Sequence, residues 1–305
     1  MKKAMVLFGV TLGKRYSRKQ KNYFYFVMKK EWERLGYAVN LQSFKSKLYR
    51  HYNIVIGNLD TAKTLVICGY DTPMKGIRRK TCYYPFHSYL NKQNAKRNLV
   101  YQVGFSLALL VFIILLWKWK GMSSSLQLPY LLIIIILLAL AYYMLKGRAN
   151  PVNFNRNSAS LALLSLLMEE HIPQVGYVLL DQSIDSFEGI KLLKEYMNNQ
   201  KIICLDCIAE GRTFVIAHEE CMKKEAKKLL QAIEPITAID RCYYKERPAQ
   251  NSISIIPSML YVVSGEIIEK EFVVKNTGTK ADMQVDVKRL EQLQKGISRY
   301  LKGAL

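Results

Sequence analysis

The stretch TLVICGYDTP, residues 64 to 73, decides the predicted fold. Its first five residues are mostly apolar and β-branched, which is typical of a short strand buried on both faces. The strand ends at Gly69, and Tyr70 and Asp71 follow directly. Ligands of open α/β sheets bind beyond the carboxyl ends of the strands. We therefore expect Asp71 to border any functional site.

Strand and helix patterns alternate on both sides of this stretch. Strong alternation of this kind predicts an α/β fold with a mostly parallel mixed sheet sandwiched by helices. Strand-like runs cover residues 37–44, 52–59, 64–70, 175–182, 201–211, 212–218, 254–264 and 271–275. Amphipathic or apolar helix patterns cover residues 19–35, 157–170, 186–197, 219–233 and 285–301.

Two long apolar runs interrupt the alternation, at residues 99–117 and 126–145. Each is long enough to cross a hydrocarbon layer of roughly 30 Å as a helix. The alternative is a pair of helices buried in a soluble core. Because the linker KWKGMSSSLQ is short, we expect a transmembrane hairpin at 98–146 inserted into one domain. That domain then consists of a first part, 1–97, and a second part, 147–305.

Positive charge is concentrated beside the hairpin. The chain has 45 Lys and Arg against 24 Asp and Glu, a net charge of +21. The basic flanking residues are Arg78, Arg79, Lys80, Lys92, Lys96, Arg97, Lys146, Arg148 and Arg156, whereas the linker carries Lys118 and Lys120. The positive-inside rule places both soluble segments in the cytoplasm, at a bacterial cell membrane. We expect no secretory signal and reduced cysteines.

The same charge indicates which partners to expect. Basic residues near an anionic leaflet favour contact with anionic lipid headgroups. Nucleic acid is the other common partner of a basic protein, but the basic residues are dispersed and no nucleic-acid motif is present. We therefore expect the membrane, and not nucleic acid, as a partner.

Six segments, in order, resemble the di-zinc aminopeptidases of peptidase family M28, whose relatives include glutaminyl cyclases. The family's helix end and following strand are similar to ERLGYAVNLQSF and NIVIGNL. Its His-x-Asp strand end resembles CGYDTP, and its Asp-Asn-x-Ser helix start resembles NRNSASLALLSLL. Its remaining motifs resemble VGYVLLDQSIDSFEG, IICLDCIAEG and GTKADMQVDVKRLEQL. The resemblance implies the phosphorylase/aminopeptidase-like form of the α/β fold.

The resemblance also implies a site from which the zinc ligands have been lost. The family holds two zinc ions with two His, a bridging Asp, a Glu and a further acid, and uses a second Glu as general base. The matching positions here are Gly69, Arg156, Ser183, Ile184, Asp206 and Gly278, with Asp71 as the orienting carboxylate. Asp206 alone keeps a ligand type, and one carboxylate does not hold two dications. We expect a vestigial site without catalytic residues, metal or cofactor.

Arg156 has two interpretations. A guanidinium beside Asp71 and Asp206 would replace the positive charge of the missing zinc. Alternatively, Arg156 lies on the surface near lipid headgroups.

The cysteines suggest a second, weaker metal motif. Cys204-x-x-Cys207 and His218-x-x-Cys221 carry zinc-finger donor types. Because Cys204 and Cys207 are predicted on one strand with side chains on opposite faces, we expect free thiols instead.

The leading functional hypothesis is a membrane-anchored, catalytically inactive aminopeptidase-like protein, a pseudopeptidase. It would act as a binding or scaffold subunit with a membrane-protein or peptide partner, in peptide export, maturation or immunity. The hairpin replaces the loop that borders the substrate mouth, so the old active-site face should lie near the inner leaflet. The alternatives are an active membrane-bound metallopeptidase with other ligands and a membrane organiser that binds anionic lipid.

Overall fold

The sheet and its helices are built from both parts of the chain. The computed structural model describes residues 1–46, 49–75, 81–118, 127–184, 188–197, 200–233, 238–241 and 256–303. The helices are α1 Lys2–Val6, α2 Arg18–Arg34, α3 Ser88–Lys118, α4 Gln127–Lys146, α5 Ala159–Glu169, α6 Glu188–Glu195, α7 Lys223–Ala232 and α8 Val287–Leu301. The strands are β1 Val39–Ser46, β2 Tyr49–Ile56, β3 Thr64–Gly69, β4 Cys82–Tyr83, β5 Val175–Leu180, β6 Lys201–Asp206, β7 Thr213–Ala217, β8 Ala238–Arg241, β9 Met259–Ile268 and β10 Glu271–Lys275.

The strand order is β1-β2-β5-β3-β6-β9-β10-β4, and β7 pairs with both β9 and β8. The four central strands, β5, β3, β6 and β9, run parallel to one another. The pairings of β1 with β2 and of β2 with β5 are antiparallel, as are those of β9 with β7 and β10. This mixed sheet confirms the predicted α/β class. Because β5 lies between β2 and β3, strands from before and after the hairpin form one sheet.

Side-chain alternation along β3 explains why the sheet has helices on both faces. Val66 and Cys68 pack into the core that also contains residues of α2, α5 and α8. Leu65 and Ile67 pack into the opposite core, which includes residues of α6. A strand covered on both faces needs a continuous apolar run, which is what the sequence shows.

Helix starts follow local capping chemistry. The α2 helix begins after Ser17, whose hydroxyl accepts from the Gln20 N–H while the Gln20 side chain accepts from the Ser17 N–H. Asp286 caps α8 by accepting from the Arg289 N–H at 3.0 Å. The predicted helix over 186–197 is observed as Glu188–Glu195, and residues 185–187 lie outside the described part. The strand predicted over 201–211 ends at Asp206, because Cys207 adopts a left-handed φ of 51°.

The two hairpin helices are long and apolar enough to span a membrane. Only 17% of the most apolar stretch of α3 and 11% of that of α4 is buried in the protein. The alternative of two buried core helices is therefore wrong. The α3 helix begins at Ser88, so its first turns precede the apolar run at 99–117.

Candidate functional site

The candidate site begins where Gly69, at the end of β3, lies against Ser183, which follows the end of β5. A Cβ atom at Gly69 would lie 2.5 Å from the Ser183 Cβ and would overlap the Ser183 hydroxyl. The Ser183 hydroxyl and its N–H, the latter at 3.1 Å, both donate to Asp71 Oδ1. Asn157, at a left-handed φ of 77°, donates to the Ser183 hydroxyl at 3.1 Å and to the Asp71 carbonyl at 2.6 Å. Ser183 thus fills the space that a side chain at position 69 would need.

Arg156 occupies the centre of the site, on the bend that leads into α5. It is only 3% exposed, and its guanidinium carbon lies 3.4 Å from the centre of the Tyr83 ring. Nη2 donates to the Ile184 carbonyl at 2.5 Å, whereas the buried Nε has no partner. Burial lowers the pKa of Arg156, but attraction to Tyr83, Cys207 and Asp206 outweighs burial and raises the pKa above its usual value.

The location of Arg156 corrects one interpretation and refines the other. The surface interpretation is wrong, because the side chain is buried. Among the described residues, no carboxylate lies within 4.0 Å of the guanidinium, so Arg156 forms no ion pair with Asp71 or Asp206. The positive charge of Arg156 lies within the candidate site, where the guanidinium contacts the Tyr83 ring and the Ile184 carbonyl.

Asp206 is held by two tyrosines. Its Oδ2 accepts from the Tyr83 hydroxyl at 2.9 Å and from the Tyr261 hydroxyl at 2.5 Å. The Cys207 thiol donates to Oδ1 at 3.1 Å. Burial, together with the nearby Asp206, raises the pKa of both tyrosines well above 10, so they are neutral donors. The retained carboxylate is therefore satisfied by phenol and thiol groups.

Gly278 lies at the edge of the site with a left-handed φ of 73°, and a Cβ there would have ordinary contacts only. Asp282, four residues further along the chain, is 1% exposed. Its Oδ1 accepts from the Asn155 N–H at 3.0 Å and the Arg156 N–H at 3.4 Å, while Oδ2 is buried without a partner. Burial raises the pKa of Asp282 to about 8. Sequence reasoning missed Asp282 and Tyr83, which position Arg156.

The residues present do not fit the two zinc ions that the fold implies. The carboxylates of Asp71 and Asp206 are both engaged by protein donors, and Ser183 closes the space beside Gly69. Across the described residues, no group of three His, Cys, Asp or Glu side chains converges on one point. No chemical step through zinc is therefore derived.

The positions of the Cys204 and Cys207 side chains differ from the prediction. Cys204 and Cys207 are both buried in the same core, rather than on opposite faces of a strand, because Cys207 follows the strand end. Burial is the main cause that raises the pKa of each thiol well above 9, which keeps both protonated. Cys221 is exposed.

A cavity of about 700 Å³ leads from the site to the hairpin. Asp71, Arg156 and Gly278 line its inner end, and Leu99 and Leu145 of the hairpin line another part. One face of α3 contributes four amide side chains, those of Asn91, Asn94, Asn98 and Gln102. The cavity therefore connects the candidate site with the beginning of α3 and the end of α4.

Solved structures that this chain resembles include glutaminyl cyclases and an aminopeptidase. The chain is similar to the glutaminyl cyclase of Porphyromonas gingivalis, with a TM-score of 0.58 and 13% identity over 99% of this chain and 97% of that one. The Tannerella forsythia glutaminyl cyclase gives 0.58 and 10% over 98% and 96%. The Legionella pneumophila LapA aminopeptidase gives 0.52 and 9% over 98% and 68%. No family model and no curated protein matches the chain. The fold is thus aminopeptidase-like, as the motifs predicted.

Proposed function

We propose that the chain is a pseudopeptidase, a catalytically inactive aminopeptidase-like protein that serves as a binding or scaffold subunit. The packing of Ser183 against Gly69 carries this proposal. A site that had only lost its ligands would keep empty space where the histidine side chain belongs. Here that space is filled, and an arginine takes the bridging position. The polar groups are arranged to stabilise the protein, not to activate water.

The same proposal places the protein at the cytoplasmic face of a bacterial membrane. Two largely exposed apolar helices support insertion, and the basic residues that flank them support a cytoplasmic location of both soluble segments. The cavity between the site and the hairpin supports a role in binding a ligand or partner beside the membrane. Peptide export, maturation or immunity is the process we assign to this scaffold, by analogy with the peptide substrates of aminopeptidases.

The direct test is the metal content and activity of the full chain purified in detergent. After incubation with zinc and desalting, we expect no bound zinc above background, measured by elemental analysis. We also expect no release of amino acid from aminoacyl-coumarin substrates and no cyclisation of glutaminyl peptides. A parallel preparation of Cys221→Ser shows whether any bound zinc comes from the exposed thiol. About two zinc ions per chain, with chelator-sensitive hydrolysis, contradicts the proposal.

A further inference from the structure

The guanidinium of Arg156 is buried, yet it has few hydrogen-bond partners among the described residues. Of its five N–H donors, Nη2 contacts the Ile184 carbonyl, and Nε has no acceptor among the residues that the structure describes. One face of the group stacks on Tyr83, so the remaining donors are directed around its edge. A buried charge without an ionic partner is costly, and a guanidinium binds carboxylate or phosphate oxygens in a fixed fork geometry. The side chain is therefore equipped to bind an anion from the cavity that it lines.

The other charged groups described on the cavity wall, Lys21 and Asp71, are already bonded to protein groups. Lys21 also lines the cavity, but its ammonium group contacts Asp181 at 2.5 Å, which is itself next to His51. Asp71 is the acidic group on the wall, and its Oδ1 already accepts two hydrogen bonds from Ser183. Arg156 is thus the cation on the described wall that lacks a carboxylate partner.

The rest of the cavity wall suits an amphiphilic molecule. Gln102 and Asn98 place amide groups along α3, and the Asn98 side-chain oxygen is buried without a partner. Leu99 and Leu145, both more than half exposed, mark where the cavity reaches the outer surface of the apolar helices. A volume of about 700 Å³ lies within the usual range for small-molecule sites. Polar groups at one end and hydrocarbon-facing leucines at the other match a lipid headgroup entering from the membrane.

We infer that the cavity binds an anionic phospholipid, with the headgroup phosphate at Arg156 and the acyl chains beside Leu99 and Leu145. The amide groups of Asn98 and Gln102 hydrogen-bond the headgroup hydroxyls between these two ends. This inference rests on the proposed function, since it names the ligand of the vestigial site. It differs from general attraction of a basic surface to the membrane, because one buried arginine decides it.

The test uses the full chain reconstituted in nanodiscs of phosphatidylcholine that contain a photoactivatable phosphatidylglycerol. We expect labelled peptides to map to the first half of α3 and the end of α4. Arg156→Gln should reduce this labelling by about tenfold or more, since one charge-assisted contact is worth a factor of that order. Arg148→Gln is the matched control, because it removes an exposed arginine just after α4. It should retain labelling within a factor of about two.

Folding and ligand source are controlled separately. Thermal unfolding in detergent shows whether Arg156→Gln is folded. If it is not, Gln102→Leu, which keeps every charge, should reduce labelling on its own. Unlabelled phosphatidylglycerol should compete with the wild-type signal, whereas inorganic phosphate and a short peptide with a free carboxylate should not.

Equal labelling of wild type and folded Arg156→Gln overturns the inference. Competition by inorganic phosphate or by the peptide, without competition by lipid, overturns it as well and assigns the anion to that source. Failure here is distinct from failure of the proposed function. A zinc-free chain without lipid labelling remains a pseudopeptidase, whereas a zinc-loaded active chain does not.

Discussion

Gly69 has no room for a side chain, because Ser183 lies against its Cα. We predict that Gly69→Ala lowers the free energy of unfolding by about 2 kcal/mol through overpacking. The atoms nearest to the added Cβ belong to Ser183, so the penalty should shrink in a Ser183→Gly background. Thermal unfolding of the four members of this double-mutant cycle measures the coupling. Strictly additive effects would show that the two positions do not share the space.

Asp282 makes stability depend on pH. The pKa of its carboxyl group is about 4 in the unfolded chain. In the folded chain burial disfavours the charge and raises this pKa to about 8. Between these values the unfolded state holds fewer protons, so Asp282 lowers the free energy of unfolding as pH rises from 4 to 8. The loss is about 1.4 kcal/mol for each unit between the two pKa values. We predict that Asp282→Asn reduces this slope in pH-dependent unfolding.

Glu225 provides the control for this pH dependence. Burial raises its pKa, but hydrogen bonds from Tyr300, Lys201 and Lys228 outweigh burial and lower the pKa to about 2. Its contribution is present above pH 4.5 and is lost only as pH falls toward 2. Glu225→Gln should therefore leave the slope between pH 5 and 8 unchanged. A similar change of slope in both variants would show that Asp282 is not its source.

The first turns of α3 hold the segment that carries Tyr83. Asn91 donates to the Tyr84 carbonyl at 2.8 Å and accepts from the Tyr84 N–H at 2.9 Å. Asn94 donates to the Cys82 carbonyl at 3.2 Å. We predict that Asn91→Ala lowers the free energy of unfolding by about 1–2 kcal/mol, because it removes two hydrogen bonds to one backbone unit. Lys92→Ala, on the exposed side of the same turn, should have little effect in the same assay.

The whole molecule is predicted to have both soluble segments on one side of the membrane. In a background with Cys82 and Cys242 replaced by Ser, a membrane-impermeant maleimide should label the exposed Cys221 only after the cells are opened. A cysteine introduced by Ser123→Cys in the linker should react in intact cells. Labelling of Cys221 in intact cells would contradict the cytoplasmic assignment. Ser123 lies among residues 119–126, which are outside the described part of the chain.

The sequence was sufficient to predict most of the fold. The amphipathic helix patterns and the continuous apolar run of β3 are local signals, and a local signal can be read from the sequence without knowing which residues pack against it. Errors occurred at boundaries. The strand at 201–206 was predicted too long because Cys207 is apolar, although its backbone turns. The first turns of α3, from Ser88, are polar, and no helix was predicted there because they precede the apolar run.

At the candidate site, the sequence by itself determined which side chains are present, and Gly69, Arg156, Ser183, Ile184 and Gly278 supply no carboxylate or imidazole ligands. Only the tertiary structure decided what replaces them. The Tyr83 hydroxyl reaches Asp206 from 123 positions away, and the Asp282 carboxylate reaches the backbone of Arg156 from 126 positions away. The physical reason is that residue type limits which bonds a side chain can form, whereas burial and distance are set by how the strands and loops pack. The sequence places Arg156 in the segment NRNSASLALLSLL. Packing buries its guanidinium and leaves Nε without a partner among the described residues.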